Sequence, residues 1–231
     1  MSKKKSQLEA KLLEAVTRDD IDQVKKLVAR GADVNTTTRN NITPLMLAVR
    51  APENKFALTS FLIKNGADVF AEDNEGKSAY DYIIEPPAPP EHHENAFEAW
   101  IYCEEHSIMN YINDHKMELF FKAIKNGDLE VIDMIAEKGL SISSALLLGR
   151  TPLMAAMSAK KSKLKIVKYL IEHKADILAK DYKGKTALDY LSMPPEPPPD
   201  DEAAHQAWLN CEEYRLKKYL LHLMKESAPQ G

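Results

Sequence analysis

The chain has 231 residues, enough for one large domain or two small ones, and its 44% hydrophobic and 29% charged residues are the balance of a folded protein rather than a disordered one. A formal net charge of -4 argues against the strongly basic face that nucleic-acid binding requires, and Lys3, Lys4 and Lys5 read as a solvated start. Two cysteines, Cys103 and Cys211, are too few for a disulfide framework and lack zinc-type spacing, while no apolar run approaches the ~20 residues that span a bilayer.

MSKKKSQLEAKLLEAV turns amphipathic at once and holds no uninterrupted apolar stretch, so it reads as a helix and not as a Sec-type signal peptide. The default compartment is the cytoplasm; export as an effector by a non-Sec route would leave no mark in the sequence. The first unit is LEAVTRDDIDQVKKLVARGADVN, where Asp20 followed three residues on by Gln23 predicts a capping box for the second helix. In TPLMLAVR (43–50), the Thr43 hydroxyl can cap a helix whose first position, Pro44, lacks an N–H where none is needed. FALTSFLIKNGADV follows with apolar residues at helical spacing, and Gly66 supplies the left-handed residue that ends the helix. GKSAYDYI (76–83) opens a third unit, whose two helices are separated by EPPAPPEHHEN (85–95). Trp100 then stands near the start of a long second helix, with Ala96, Trp100, Cys103, Ser107 and Tyr111 down one face.

From about residue 117 the pattern is written again. At a shift of 108 residues, Thr43-Pro44-Leu45-Met46 falls on Thr151-Pro152-Leu153-Met154, Trp100 on Trp208, and Cys103-Glu104-Glu105 on Cys211-Glu212-Glu213. About a third of the aligned positions are identical, which reads as a tandem duplication. The second proline segment is SMPPEPPPDDEAA (192–204), and Lys174 replaces a helix-ending glycine, leaving the turn geometry there open.

Helix, short turn, helix, then Gly-Ala-Asp and an extended loop, repeated about every 33 residues, resemble the ankyrin repeat. TPLMLA and TPLMAA resemble its T-P-L-H-x-A signature, with Met46 and Met154 in place of the histidine and an apolar slot as the consequence. AEDNEGKSA and AKDYKGKTA resemble its inter-repeat loop. The resemblance implies an all-α solenoid of six helix-turn-helix units, starting near residues 8, 43, 78, 117, 151 and 186. Residues 1–115 would form one three-unit block and 116–231 a second, stacked continuously on the first.

By the same resemblance the function is non-catalytic protein recognition, as an adaptor or scaffold that is monomeric when free. It would use no cofactor or metal and bind neither nucleic acid nor membrane. The alternative is an inhibitor, immunity-type binder or secreted effector occupying one target; an enzyme or metal-binding protein ranks last. Family contacts lie on loop tips and on the exposed side of the helices. The tips carry Arg39, Asn40, Asn74, Glu75 and Lys77 in the first block, and Tyr182, Lys183 and Lys185 in the second. Arg18, Arg50, Lys125, Asn126 and Ser158 would line the helices.

Four further features bear on chemistry. Leu146, Leu147 and Leu148 stand where the first copy has Thr38, Arg39 and Asn40, so either a partner covers them or the chain's own neighbouring loop does. Nine of the 13 prolines lie in the two proline segments, which read as stiff inserts packed on their own tryptophan, or else as ligands for aromatic grooves. His92, His93, Cys103 and His106 are potential zinc ligands, but the second copy keeps only the cysteine, so small core residues explain Cys103 and Cys211 more simply. Lys160, Lys161, Lys163, Lys165 and Lys168 form a cluster that reads as the complement of Glu196, Asp200, Asp201 and Glu202 in the neighbouring layer. No nucleophile elbow, phosphate-binding glycine loop or HExxH occurs.

Overall fold

In a computed structural model, residues 3–86, 88, 99–140, 149–198 and 200–226 are described. The chain divides into two compact units, Met1–Lys116 and Met117–Gly231. The first contains α1 (Lys3–Thr17), α2 (Ile21–Ala29), α3 (Pro44–Ala48), α4 (Lys55–Lys64) and a 3-10 turn at Tyr80–Tyr82. Helix α5 (Glu104–Asn126) counts with the first unit as far as Lys116 and with the second beyond it. The second unit continues with α6 (Leu129–Glu137), α7 (Pro152–Ala156), α8 (Lys163–Glu172), a 3-10 turn at Ala187–Tyr190, α9 (Glu202–Leu209) and α10 (Glu212–Glu226). The fold is all-helical, and extended pairing among the described residues is one isolated antiparallel bridge between Glu72 and Ser78.

Helices α3 and α7 are five residues long, too short to persist by propensity, so their ends and packing must hold them. Thr43 Oγ1 accepts the Met46 N–H at 3.2 Å, and Met46 Sδ accepts the Thr43 N–H at 3.4 Å. Thr151 and Met154 repeat this at 3.3 and 3.5 Å. Methionine therefore fills an apolar slot, at 1% and 0% exposure, and also completes a reciprocal cap through its weakly accepting sulfur. At Asp20 the expected box is one-sided: the carboxylate accepts the Gln23 N–H at 2.9 Å and alone serves as the cap.

Helices α4 and α8 are capped from elsewhere. Their N-cap residues, Asn54 and Ser162, make no side-chain cap bond. Instead Glu104 accepts the Phe56 N–H at 2.9 Å, and Glu105 takes Lys55 Nζ at 2.5 Å. In the second unit Glu212 accepts the Leu164 N–H at 2.8 Å, and Glu213 takes Lys163 Nζ at 2.9 Å. Carboxylates thus sit on the positive ends of helices that lack caps of their own.

Two expectations are corrected in the segments expected as third and sixth units. Their first helices are only the 3-10 turns, since Pro86 and Pro194 follow closely and a residue before proline is pushed out of the helical region. Their second helices are broken. Asn210 ends α9 and Glu212 starts α10, and the chain likewise leaves the helical path at Tyr102-Cys103 before α5. Trp100 and Tyr111 therefore do not share one helical face, and Ala96 lies outside the described residues.

Helix ends show where side-chain chemistry yields to geometry. Gly66 has φ +89°, and Lys174 adopts φ +65° in spite of its Cβ, so the lysine takes up the left-handed turn. Asp19 is also left-handed, and its carboxylate grips the next inter-helix turn through the N–H groups of Glu53 (2.7 Å) and Asn54 (3.1 Å). At the matching place in the second unit stands Gly127, where a Cβ would lie 2.5 Å from the Lys161 carbonyl oxygen.

In the first unit the core is Leu12, Leu27, Leu45, Leu58, Leu62, Ile108 and Ile112; in the second it is Phe120, Ile132, Leu153, Leu170, Leu216 and Leu220. Leu45→Ala or Leu153→Ala should lower stability by about 2–5 kcal/mol in urea unfolding, because both are fully buried. Lys174→Gly should raise it by about 1 kcal/mol by relieving the left-handed lysine, and a loss of stability would show that the lysine side chain itself holds the turn.

Candidate functional site

Two exposed loop tips are built on buried carboxylates. Asp73 accepts the N–H groups of Glu75 (2.8 Å) and Lys77 (2.9 Å) and the hydroxyl of Tyr82 (2.6 Å). Asp181 accepts from Lys183 (2.9 Å), Lys185 (2.9 Å) and the Tyr190 hydroxyl (2.5 Å). The tyrosine bond, followed by the main-chain bonds, holds each carboxyl below its ordinary value, while the same partner pushes each tyrosine hydroxyl up. Arg50 lies over the Tyr82 ring at 5.6 Å and Arg150 over Tyr190 at 5.2 Å. One hidden acid therefore orients a loop, a ring and, through the ring, a guanidinium.

The residues expected to make contacts are exposed wherever they are described. Arg39 and Asn40 sit beside Asn74, whose N–H donates to the Asn40 carbonyl at 3.1 Å and whose Nδ2 reaches the Arg39 carbonyl at 3.4 Å. Glu75 and Lys77 pair with each other at 2.8 Å. Tyr182 lies under Lys183 Nζ at 5.2 Å, and Lys185 Nζ is 5.6 Å from the Tyr190 ring. Arg18 pairs with Glu14 at 2.6 Å, and Asn126 lies at the end of α5. Leu146, Leu147 and Leu148 lie outside the described residues.

Lys125 and Ser158 come together in a groove of about 490 Å³ in the second unit. The groove is also lined by Glu118, Phe121, Lys122, Arg150 and Ala155, none of which sequence reasoning singled out. The available signal was the pair Lys122 and Lys125, three apart on one exposed helix face.

The chemical candidates resolve structurally. Trp100 Nε1 donates to the Pro86 carbonyl at 2.8 Å and Trp208 Nε1 to the Pro194 carbonyl at 3.0 Å, so each tryptophan anchors the start of its proline segment. Cys103 Sγ and His106 Nδ1 approach to 3.0 Å, but Nδ1 is also 2.7 Å from the Trp100 carbonyl, which can only accept. Its proton is therefore committed to that oxygen, and Nδ1 cannot act as a base toward the thiol. His92 and His93 lie outside the described residues. In the lysine cluster, the ion pair among the described residues is Lys163 with Glu213 of α10, not with an acid of the proline segment, and Glu212 beside it accepts the Leu164 N–H at the start of α8. Lys168 Nζ lies over the Tyr219 ring at 5.6 Å.

Asp73 and Asp181 ionise more readily in the folded chain than in the unfolded one. Their contribution to stability is therefore complete above the ordinary aspartate value of 3.8 and is lost as pH falls through the lowered folded value. Asp73→Asn and Asp181→Asn should flatten the acid limb of a melting-temperature profile, chiefly below about pH 4. An unchanged limb would mean that these carboxylates do not drive acid unfolding.

Comparison with known proteins agrees with this architecture. The family profile described as ankyrin repeats in three copies matches residues 12–86 and 120–193. The phosphocholine transferase AnkX of Legionella pneumophila is 25% identical over 167 residues, which are 72% of this chain and 17% of that protein. The putative ankyrin repeat protein YahD of Escherichia coli is 26% identical over 198 residues, covering 79% of this chain and 88% of the relative. The human transient receptor potential cation channel subfamily A member 1 is 27% identical over 162 residues, 55% of this chain and 14% of the channel. The chain thus spans under a fifth of the Legionella and human proteins and most of the Escherichia coli one. With the profile matching well over half of its residues, the chain belongs to the ankyrin-repeat family.

Proposed function

We propose that the chain is a non-catalytic adaptor or scaffold that binds another protein through its loop tips and the exposed side of its helices. Ankyrin repeats generally mediate protein–protein interaction, and the observation that carries the reading here is the construction of the tips. Buried Asp73 and Asp181 fix the loops that present Asn74, Glu75 and Lys77, and Tyr182, Lys183 and Lys185, before any partner arrives. Fixing a contact loop in advance removes part of the ordering cost of binding. In this reading the chain holds six units produced by tandem duplication of a three-unit block. The paired caps at Glu104-Glu105 and Glu212-Glu213, and the paired tryptophan anchors, support it. Leu146, Leu147 and Leu148 belong to the binding surface as the place where the second copy has exchanged polar residues for apolar ones.

The phosphocholine transferase named among the relatives is matched over 17% of its length, so its activity is not carried over. The test is affinity capture from the native organism with the full chain, followed by mass spectrometry. Charge reversal at Lys77, Lys183 and Lys185, or serine at the three leucines, should abolish capture while leaving the melting temperature unchanged. Capture that survives both sets of changes would overturn the assignment of the surface. A single stoichiometric partner would favour the inhibitor or effector reading, and several partners the scaffold.

A further inference from the structure

The groove of the second unit differs from its counterpart in ways that specify an occupant. Lys122, Lys125 and Arg150 set three positive charges against the single acid Glu118, within a chain whose net charge is -4. The matching positions of the first copy are Glu14, Thr17, Ile42 and Ala10, with Arg50 in the place of Ser158, so the first copy sets one cation there against three in the second. The floor has also changed. Where α3 has Leu47, α7 has the smaller Ala155, which lines the groove. Phe121, which takes the place of Leu13, adds an aromatic ring to the lining, and Ser158 adds an exposed residue with a hydroxyl. Arg150 is held over the Tyr190 ring at 5.2 Å, and that ring is itself fixed by Asp181, so its guanidinium is placed in advance. Lys122 and Lys125 are exposed, and neither is in a salt bridge among the described residues.

We propose that this groove seats an acidic peptide segment of a partner protein, with one apolar side chain of that segment filling the hollow over Ala155. The inference rests on the protein-recognition reading above and deepens it by giving the partner's chemistry. Two lysines on one wall and an arginine from another segment of the lining suit carboxylates flanking a single apolar residue. A nucleic-acid backbone would need a longer basic track than three cations provide. The volume, about 490 Å³, is that of a few side chains and not of a folded domain.

The test uses the full chain and a fluorescent peptide with one central leucine flanked by aspartate and glutamate. Controls are the same peptide with the acids replaced by glutamine or by lysine. Anisotropy should show the acidic peptide binding about tenfold or more tighter than the glutamine version, and weakening as salt rises from about 50 to about 300 mM. The double variant Lys122→Glu, Lys125→Glu should lose about tenfold or more in affinity. Ala155→Leu, which restores the residue of the first unit, should do the same by filling the hollow, with no change in melting temperature for either variant. Equal binding of acidic and glutamine peptides, or binding indifferent to both variants, would overturn the proposal. So would a dimer in sedimentation that charge reversal dissociates, since a second copy would then occupy the groove, or tighter binding of a single-stranded oligonucleotide at the same residues. If a native partner is captured through the tips but ignores the groove variants, the groove proposal fails and the recognition reading stands. If peptide binding depends on the groove while no stoichiometric partner is ever captured, the broader reading fails instead.

Discussion

A five-residue helix cannot satisfy its own main chain, and the architecture of both units follows from that constraint. Helices α3 and α7 have almost no internal hydrogen bonding to spare, so a threonine, a proline and a buried methionine close their first turn. Helices α4 and α8 go further and borrow caps from Glu104 and Glu212, which lie 48 residues later in the chain. Stability is therefore not stored in any one helix. It arises where one helix pair meets the next, which is why layers of this kind are built as stacks.

The same economy orders the loop tips. A loop connecting such layers would ordinarily be mobile, since few apolar contacts hold it. Burying Asp73 and Asp181 beneath the tips converts the loops into rigid presenters, because each carboxylate satisfies two main-chain N–H groups and a tyrosine hydroxyl at once. Residues on the outside of a tip can then vary without disturbing the support. Tyr182 and Lys183 in one tip, against Asn74 and Glu75 in the other, are variation of that kind.

Where the two units differ, the difference is local and has a physical consequence. Asp19 holds the following turn with its carboxylate, whereas Gly127 lets the Lys161 carbonyl come so close that no side chain fits. Position 47 of α3 is leucine, whereas position 155 of α7 is the smaller alanine, which lines a groove beside three cations. Small residues in the second unit thus create close approach in one place and a hollow in another.

The sequence by itself determined the all-helical class, the repeat register, the Thr-Pro helix starts and the left-handed turn at Gly66. Each of these depends on neighbours within a few residues, where cap chemistry and apolar spacing are legible. It also pointed to the tryptophans as anchors of the proline segments, since a large ring beside a stiff chain has few other uses. It missed the 3-10 turns and the breaks before α5 and α10, because a helical pattern does not reveal where proline or a tertiary bond interrupts it. It assigned the wrong partners to Lys163, and it placed no groove at Phe121, Lys122, Arg150 and Ala155. Those features join residues tens of positions apart, from Lys163 to Glu213 and from Lys122 to Ala155, and only the packed layers decide which of many exposed charges meet. Surface charge is plentiful and nearly interchangeable along the chain, so its function is settled by placement in three dimensions and not by order in one.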